Sequence, residues 1–355
     1  METTEFIIAT TGEPFDGAPS DEPCYRIPAL AVTASGRVVL AYDVRTSPLD
    51  LPGPNGIAYR ASDDAGRSWS EPRWLRRPEG EWGCGDPSLL ALSDGTLLCW
   101  YVSSDGTSFW DDQSPGGDWM LWVARSADGG ETWVHADVTG FVWPDDAGSL
   151  FASSGNGIVL ASGRILQPIV VRRRGTQHRY CAMAISDDDG VTWRLGAPVS
   201  GCDETKVAQL PDGTVVLHSR ATPSRLVAES RDGGETFTAP RADVPEPGCN
   251  GGLTTLADGR LACTVVHPDG GEPIEADLPD PTGGRGATSG PDWSSRRNLV
   301  LRTGLPGAWG EPVVIDPGLA AYSVAITLPD GAVAVAWEYG AYEGIKFARV
   351  TPADT

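Results

Sequence analysis

The sequence has few features of a membrane protein, a helical protein or a metalloprotein. None of its apolar runs approaches the length of a membrane span, and no long apolar stripe recurs at helical spacing. The 355 residues include only four histidines, and these lack the spacing of a metal site. We therefore expect no membrane insertion, no metal and no cofactor, and we interpret the histidines as structural residues.

Basic residues are also scarce. The 27 lysines and arginines are outnumbered by 48 aspartates and glutamates, which leaves a formal net charge of −21. Such a surface repels the phosphates of nucleic acids and of anionic lipids. We therefore expect no nucleic-acid partner, although this composition is compatible with a local basic pocket.

Cysteine is likewise sparse, with seven residues that are widely scattered and form no C-x-x-C pair. We interpret most of them as reduced residues of the core, which favours the cytoplasm over an oxidising compartment. Residues 1–15 also lack the charged segment and apolar run of a secretory signal. The sequence thus predicts a cytoplasmic protein and makes no prediction about its oligomeric state.

Repetition is the most informative feature that is present. Four octets with the pattern S-x-D-x-G-x-[ST]-[WF] span residues 62–69, 126–133, 186–193 and 230–237. Glycine permits the positive φ of a tight turn, and Ser and Asp side chains can bond to the backbone of that turn. The octets lack the alternating acidic ligands of a calcium loop. We interpret each as a self-bonded turn, and their recurrence indicates a solenoid or a propeller.

Six Ser-Gly or Asp-Gly turns between alternating apolar runs each predict a β-hairpin. They contain Gly36, Gly95, Gly163, Gly213, Gly259 and Gly331. The first four hairpins are each followed by an octet, and a degenerate octet at residues 303–309 follows the fifth. One hairpin plus a second that contains the octet makes a four-stranded antiparallel blade. The sequence therefore predicts an all-β fold, a six-bladed β-propeller in a single domain over residues 1–355.

Two further segments complete this prediction. Residues 5–10 are expected to pair with residues 345–350 and close the ring, because closure removes exposed sheet edges. Residues 269–292, rich in Gly, Pro and Asp, are predicted to be a long insertion in the fifth blade.

Polar residues recur at matched positions relative to the hairpins. Nine or ten residues before the six hairpin glycines stand Arg26, Asp86, Ser154, Glu204, Asn250 and Tyr322. Seven or nine residues after three of those glycines stand Arg45, Arg220 and Glu338. Both arms of a hairpin end away from its turn, so these residues are expected to gather in a central funnel, where ligand sites occur. Any one of them is also compatible with a solvated loop position, but together they should perturb one another's pKa as functional groups do.

Several segments resemble the bacterial sialidases (neuraminidases), in which such octets are called Asp boxes. The segments are Tyr25-Arg26-Ile27-Pro28, Tyr42–Arg45, Asp50–Asn55, Gly85–Ser88, Asp203–Lys206, Ala321–Ser323 and Trp337–Gly340. The resemblance covers residues 25 to about 347. It implies a six-bladed propeller, in agreement with the hairpin count, and an exo-α-sialidase that acts on sialylated glycans or oligosaccharides.

The resemblance also implies which residues bind the substrate carboxylate. Arg26, Arg220 and Arg296 would form an arginine triad, for which the planar guanidinium is suited because it binds carboxylates bidentately. Arg297 is the alternative to Arg296 as the third arginine. Glu338 would pair with Arg26 and orient it.

The remaining roles concern the reaction and the sugar substituents. The resemblance implies that Tyr322 is the nucleophile, Glu204 is its base and Asp50 is the general acid/base on a mobile loop. Asp86 and Arg45 would bind amino or hydroxyl substituents of the sugar. A phenol suits this reaction because the anomeric carbon carries a carboxylate, which would repel an anionic Asp or Glu nucleophile. A covalent tyrosyl intermediate predicts retention of configuration.

Four questions stay open at the level of sequence. The substrate can be another nonulosonic acid, such as the deaminated form, and the intermediate can be transferred to a sugar instead of water. A propeller that binds sialylated glycans without cleaving them is the alternative of a different class. The aromatic residues Phe109, Trp110 and Trp119 are equally compatible with lining the pocket and with packing at the rim or in the core.

Overall fold

The computed structural model describes residues 3–80, 82–267 and 296–352. Within these ranges the chain forms 27 β-strands and one helix of four residues, α1 (Thr139–Val142), so the prediction of an all-β fold is confirmed. The insertion predicted at residues 269–292 lies outside the described residues. In the described part of the chain, no helix has the length and apolar character needed to cross a membrane.

The strands follow one another along the chain in six sets, which we call strand groups 1 to 6. The N-terminal strand is β1 (Thr3–Thr10). Group 1 contains β2 (Cys24–Val32), β3 (Val38–Arg45), β4 (Gly56–Ser62) and β5 (Arg73–Arg76). Group 2 contains β6 (Trp82–Ala91), β7 (Leu97–Asp105), β8 (Trp119–Ser126) and β9 (Val134–Asp137). Group 3 contains β10 (Ala147–Ala152), β11 (Gly155–Asn156), β12 (Ile158–Val159), β13 (Ile165–Arg173), β14 (Arg179–Ser186), β15 (Arg194–Leu195) and β16 (Val199–Ser200).

The second half of the chain continues this order. Group 4 contains β17 (Thr205–Gln209), β18 (Val215–Ser219), β19 (Ser224–Ser230) and β20 (Arg241–Pro245). Group 5 contains β21 (Leu253–Thr255), β22 (Leu261–Val266), β23 (Arg297–Leu305), β24 (Ala308–Trp309) and the first part of β25 (Val313–Thr327). Group 6 contains the rest of β25, β26 (Val333–Tyr339) and β27 (Gly344–Val350), with β1 added at its edge.

Hydrogen bonds join the described strands into five sheets, of eight, six, five, four and four strands. This differs from the six separate four-stranded blades that the hairpin count predicted. The reason is that β25 is continuous: Val314 in its first part pairs with Val300 of β23, and Val324 in its second part pairs with Ala336 of β26. Groups 5 and 6 therefore share one sheet. The five-stranded sheet arises because β11 of group 3 pairs in parallel with β6 of group 2.

The core lies between the faces of successive groups. A buried apolar cluster occupies each junction from groups 1 and 2 to groups 5 and 6, and another joins group 6 to group 1. This closed succession is a β-propeller arrangement. All seven cysteines are buried with free thiols, which confirms their interpretation as reduced residues of the core.

The ring closes as the sequence predicted. Strand β1 pairs antiparallel with β27 along its whole length, with Phe6 opposite Phe347. The edge of group 6 is therefore covered by the N-terminal segment, which leaves fewer unpaired backbone groups.

Each octet is a turn that bonds to itself. In the first, Ser62 Oγ donates to Asp64 Oδ1 over 2.7 Å and the amide of Gly66 donates to Ser62 Oγ over 2.7 Å. Both the amide and the hydroxyl of Ser68 donate to the Asp64 carboxylate, over 2.8 and 2.6 Å. The same pattern recurs around Asp128, Asp188 and Asp232. These bonds confirm the interpretation as structural turns.

The last residue of an octet packs against the preceding strand group. The ring of Trp69 meets Phe347 edge-on with centroids 4.8 Å apart, and Trp193 meets Trp100 in the same way at 4.6 Å. Polar contacts follow the same rule, since Arg37 of group 1 donates to the carbonyl of Gly129 in the second octet over 2.9 Å. The octets thus hold neighbouring groups together.

The octets and the predicted site lie at opposite ends of the strands. In group 1, Ser62 pairs with Val38 beside the hairpin turn, whereas Arg26 pairs with Asp43 towards the other end. The polar residues at matched positions therefore lie on the face of the ring away from the octets.

Candidate active site where the first strands converge

The first strands of the groups lie beside one another, because β2 contacts β6 and β25, and β21 contacts β17 and β25. Their ends away from the hairpin turns bring polar residues together from distant parts of the chain. Tyr322 contacts Glu204 and Arg220, which precede it by 118 and 102 residues. Glu338 contacts Arg26, 312 residues away.

Tyr322 and Glu204 share a direct hydrogen bond. The phenolic hydroxyl donates to Glu204 Oε2 over 2.6 Å, and Arg220 Nη1 lies 2.9 Å from the phenolic oxygen and also contacts Oε2. Burial raises the pKa of Tyr322 well above its ordinary value; Glu204 adds to this effect, whereas Arg220 and Arg296 oppose it. The phenol thus has a proton acceptor in place and cations that favour its ionised form.

Three guanidinium groups surround the ring of Tyr322. The Cζ atoms of Arg26, Arg220 and Arg296 lie 5.7, 5.8 and 5.5 Å from the ring centroid. Arg26 and Arg296 are fully buried, and Arg296 Nη2 donates to the carbonyl of Gly248 over 2.9 Å. In a chain with a net charge of −21, three arginines thus gather around one phenol ring.

Glu338 holds Arg26 through a buried ion pair. Arg26 Nε donates to Glu338 Oε1 over 3.0 Å, and the amide of Ile27 donates to the same oxygen over 2.9 Å. Glu338 also raises the pKa of Arg26, although burial alone would lower it. The ring of Tyr342 packs 4.3 Å from Arg26 Cζ. The orientation of Arg26 is therefore fixed from several sides.

Local irregularities in the strands place three of these side chains. The register of β2 shifts between Arg26 and Ala29, that of β6 between Gly85 and Ser88, and that of β25 between Ala320 and Ser323. At the first two shifts a residue takes the left-handed conformation, Ile27 with φ 56° and Asp86 with φ 58°. Such bulges redirect side chains and are typical of functional sites.

Asp50 lies on the loop between β3 and β4 with its side chain 47% exposed. Its Oδ1 accepts a hydrogen bond from Arg26 Nη1 over 3.2 Å and another from Arg45 Nη1 over 2.8 Å. The only strongly exposed carboxylate of the predicted set thus contacts two buried arginines, at a position where it can reach a bound ligand.

Arg45 and Asp86 are linked through Asp43. Arg45 Nη2 and Nε donate to Asp43 Oδ2 over 2.6 and 3.0 Å, and the amide of Asp86 donates to Asp43 Oδ1 over 3.1 Å. Burial raises the pKa of Asp43 to about 6, against the opposing effect of Arg45. Burial, with Asp43 beside it, raises the pKa of Asp86 well above its ordinary value. The carboxyl of Asp86 therefore keeps its proton to a higher pH than an exposed aspartate does.

Three residues that support the site were absent from the predicted set of site residues. Asp43 stands two residues before Arg45 and hence on the same face of β3, which is a signal that the sequence contains. Asn250 occupies a matched hairpin position, and its Nδ2 donates to Glu204 Oε1 over 3.1 Å. Tyr342 carries no comparable signal, because its contact with Arg26 depends on the turn between β26 and β27.

The aromatic residues Phe109, Trp110 and Trp119, which lie between β7 and the start of β8, divide between core and rim. Trp119 is 2% exposed and its Nε1 donates to the carbonyl of Leu150 over 2.7 Å, so it is a core residue. Phe109 packs edge-on against Phe151 with centroids 5.0 Å apart. Trp110 is partly exposed and lies 5.5 Å from Arg179 Cζ.

Comparison with known proteins identifies similar chains. A family model described as a BNR repeat-like domain matches residues 81–335. A sialidase of Micromonospora viridifaciens is 32% identical over 92% of the chain and 51% of its own length, so the chain spans about half of that relative. The structure is similar to that of the Hadza microbial sialidase Hz136, with a TM-score of 0.77 and 25% identity over 92% of the chain and 66% of that protein. Trypanosoma rangeli sialidase shares the fold, with a TM-score of 0.74 and 17% identity over 98% of the chain and 59% of its own.

Proposed function

The chain belongs to the sialidase family, and from this premise we propose that it is a retaining exo-α-sialidase that removes terminal sialic acids from glycans through a covalent tyrosyl intermediate. The observation that carries the proposal is the 2.6 Å hydrogen bond from Tyr322 to Glu204 inside a ring of three arginines. A nucleophile, its base and an anion site are the groups that this reaction requires.

The proposal includes the architecture. We infer that the six strand groups are the six blades of one catalytic propeller, since each junction between successive groups contains its own apolar cluster. The continuous strand β25 then belongs to two blades. This arrangement explains how Tyr322 and Arg296, from neighbouring blades, reach the same point.

In the proposed complex the substrate carboxylate binds among Arg26, Arg220 and Arg296. Binding energy is favourable because Arg26 and Arg296 are already buried and oriented, so little entropy is lost when the anion arrives. The carboxylate displaces Asp50 from Arg26, which frees Asp50 to approach the glycosidic oxygen. Arg45 and Asp86 face the substituents of the sugar ring.

The first step transfers the sugar to the enzyme. Glu204 takes the proton of Tyr322 as the phenolic oxygen forms a bond to the anomeric carbon. The bond from that carbon to the leaving glycan breaks, and Asp50 gives its proton to the departing oxygen. The products are the free glycan and a tyrosyl ketal.

The second step releases the sugar. Asp50, now ionised, takes a proton from water as the water oxygen forms a bond to the anomeric carbon. The bond to Tyr322 breaks and Glu204 returns the proton to the phenolate. Two inversions give retention of configuration, and replacing water by a sugar hydroxyl gives transglycosylation with the same residues.

The test is turnover of a fluorogenic α-sialoside by the purified protein across acidic to neutral pH. We expect Tyr322→Phe to lose about 10³-fold or more in kcat, while Tyr180→Phe, which removes a hydroxyl bonded to Asp146, keeps its activity. Wild-type turnover no higher than that of Tyr322→Phe would contradict the proposal. Proton NMR of the first product identifies the retained anomer.

The same assay determines the substrate class. Rates on N-acetylated and deaminated sialosides, measured side by side, identify the preferred nonulosonic acid. Product analysis in the presence of lactose separates hydrolysis from transfer. Binding of sialylated glycans with no product formed would indicate the non-catalytic alternative.

A further inference from the structure

A buried lysine lies behind the proposed base. Lys206 is 0% exposed and is one of only two lysines in the chain, which otherwise uses arginine for its positive charges. Its side chain passes close to the backbone, because a Cβ added to Gly155 would lie 2.7 Å from Lys206 Cε and 3.4 Å from Val324. The side chain of Lys206, which belongs to β17, therefore has a defined position beside β11 and β25.

Asn250 connects Lys206 to Glu204. Lys206 Nζ donates to Asn250 Oδ1 over 2.6 Å. Asn250 Nδ2 donates to Glu204 Oε1 over 3.1 Å and to Ser154 Oγ over 3.0 Å. Glu204 Oε2, by contrast, contacts Tyr322 and Arg220. The two oxygens of the carboxylate therefore have different partners.

Lys206 determines which way the Asn250 amide points. An ammonium group only donates hydrogen bonds, so it requires the amide oxygen of Asn250, and the amide nitrogen must then face Glu204. With the amide reversed, its oxygen would face the carboxylate and two acceptors would repel each other. The lysine thus orients Glu204 through Asn250, which is itself buried.

The charge of Lys206 acts on the same carboxylate. The charged and titratable groups that face Lys206 are Glu204, Arg225 of β19 and Cys249 before β21. Those that face the Glu204 carboxylate from other elements are Arg220, Tyr322 and Asp86. Burial lowers the pKa of Lys206 to about 7, although Glu204 opposes this effect. Below that pH Lys206 is a buried cation that Asn250 links to the Glu204 carboxylate.

We propose that Lys206 and Asn250 are positioning residues that hold the Glu204 carboxylate aimed at Tyr322. The inference rests on the proposed function for its catalytic consequence. Its structural content, the dependence of the surroundings of the Glu204 carboxylate on Lys206, can be measured without any turnover.

The experiment compares three variants with the wild type. Lys206→Met removes the charge and the donor, Lys206→Gln keeps a donor without the charge, and Lys346→Met is the matched control. Lys346 binds Glu5 and Asp316 near the N-terminal strand, away from the site. The first readout is the ¹³C chemical shift of the Glu204 carboxyl at fixed pH, in protein labelled at the glutamate carboxyls, with the signal assigned by its absence in Glu204→Gln.

We expect Lys206→Met to move the ¹³C signal of the Glu204 carboxyl, because the group that orients Asn250 is lost and the amide can turn its oxygen towards the carboxylate. In the turnover assay the acidic limb of kcat/KM moves to higher pH, because a buried cation beside the site is lost. kcat falls about 10-fold and KM changes less than about 2-fold, since the arginine triad is intact. Lys206→Gln keeps most of kcat but shows the shifted limb, and Lys346→Met shows neither effect.

An unchanged Glu204 carboxyl signal in Lys206→Met overturns the inference, as does a loss of kcat without movement of the acidic limb. If Lys206→Met does not fold, Asn250→Ser tests the same connection and must move the Glu204 carboxyl signal. Absence of wild-type turnover contradicts the proposed function alone, because the NMR signal still reports on Lys206.

Discussion

Asp50 Oδ1 lies 3.2 Å from Nη1 of Arg26, so the proposed general acid occupies part of the proposed carboxylate site. Arg45 holds the same oxygen at 2.8 Å. An incoming carboxylate and Asp50 therefore compete for Arg26, while Arg45 can retain Asp50 near the sugar. This arrangement couples substrate binding to the placement of the acid.

The first prediction concerns Asp50→Asn. Without a proton to give, we expect kcat on a natural sialoside to fall by about 10²- to 10⁴-fold. An aryl sialoside, whose leaving group needs little protonation, should lose much less. Steady-state kinetics on both substrates check this, with Asp63→Asn, on the octet face of the ring, as the control. Equal losses on both substrates would argue against an acid role.

Glu338→Gln tests the orientation of Arg26. The change leaves Arg26 buried with the partly exposed Asp50 in place of its buried anionic partner, so the free energy of unfolding should fall by about 3 kcal/mol. We expect KM to rise about 10- to 100-fold because the carboxylate contact is weakened. Denaturant titration and steady-state kinetics measure the two effects. A variant with normal KM would mean that Arg26 does not hold the carboxylate.

His218 predicts a pH dependence of stability. His218 is 0% exposed. Burial lowers the pKa of His218 to about 4, and Arg225 adds to this effect. Asp243, whose Oδ2 lies 3.1 Å from Nε2 of His218, opposes it. The unfolded chain therefore binds the proton more readily than the folded one. The contribution of neutral His218 to the free energy of unfolding is fully present above about pH 6.5, the pKa of histidine in the unfolded chain. This contribution is lost as the pH falls towards 4.

The measurement is the free energy of unfolding between pH 7.5 and pH 4.5, with His218→Gln compared with the wild type. We expect a smaller loss on acidification in the variant, while the exposed His178→Gln behaves like the wild type. A pH slope that is identical in His218→Gln would show that this histidine is not buried in its neutral form.

Gly66→Ala tests the closure of the ring by the first octet. An added Cβ would meet Phe347 Cζ at 2.5 Å, and Gly66 has φ +86°. Gly36 provides a matched control, because it has φ +87° with nothing within 4 Å of an added Cβ. We expect Gly36→Ala to cost about 1 kcal/mol from backbone strain alone. Gly66→Ala should cost about 2 kcal/mol more.

Thermal unfolding of the two glycine variants gives this difference. Activity per folded molecule should stay the same in both, because the octets lie on the face away from the site. Equal destabilisation by the two substitutions would show that the octet does not contribute packing across the junction of groups 6 and 1.

Much of the fold could be predicted because it depends on short-range patterns. The alternation of apolar residues around Gly36, Gly95 and their equivalents indicates hairpins wherever they occur. The self-bonded octets depend on side chains four residues apart, such as Asp64 and Ser68. Closure of the ring by β1 was also predictable, since an open edge is unfavourable in any sheet.

The separation of the last two strand groups was less predictable. The hairpin count predicted six separate four-stranded blades, yet β25 runs through strand groups 5 and 6. Whether a strand continues from one group into the next depends on its packing against both neighbours, which the spacing of residues does not record.

The sequence by itself determined the all-β class, the repeat and the set of polar residues at the hairpin ends, because each of these is a matter of local spacing. Only the tertiary structure decided which of those residues meet. The contacts between Arg26 and Glu338, and between Tyr322 and Glu204, join residues 312 and 118 positions apart. The orientation of Glu204 by Lys206 likewise depends on the amide of Asn250, which precedes β21. Contacts between residues so far apart in the sequence are set by how the strand groups pack around the axis, which no local pattern records.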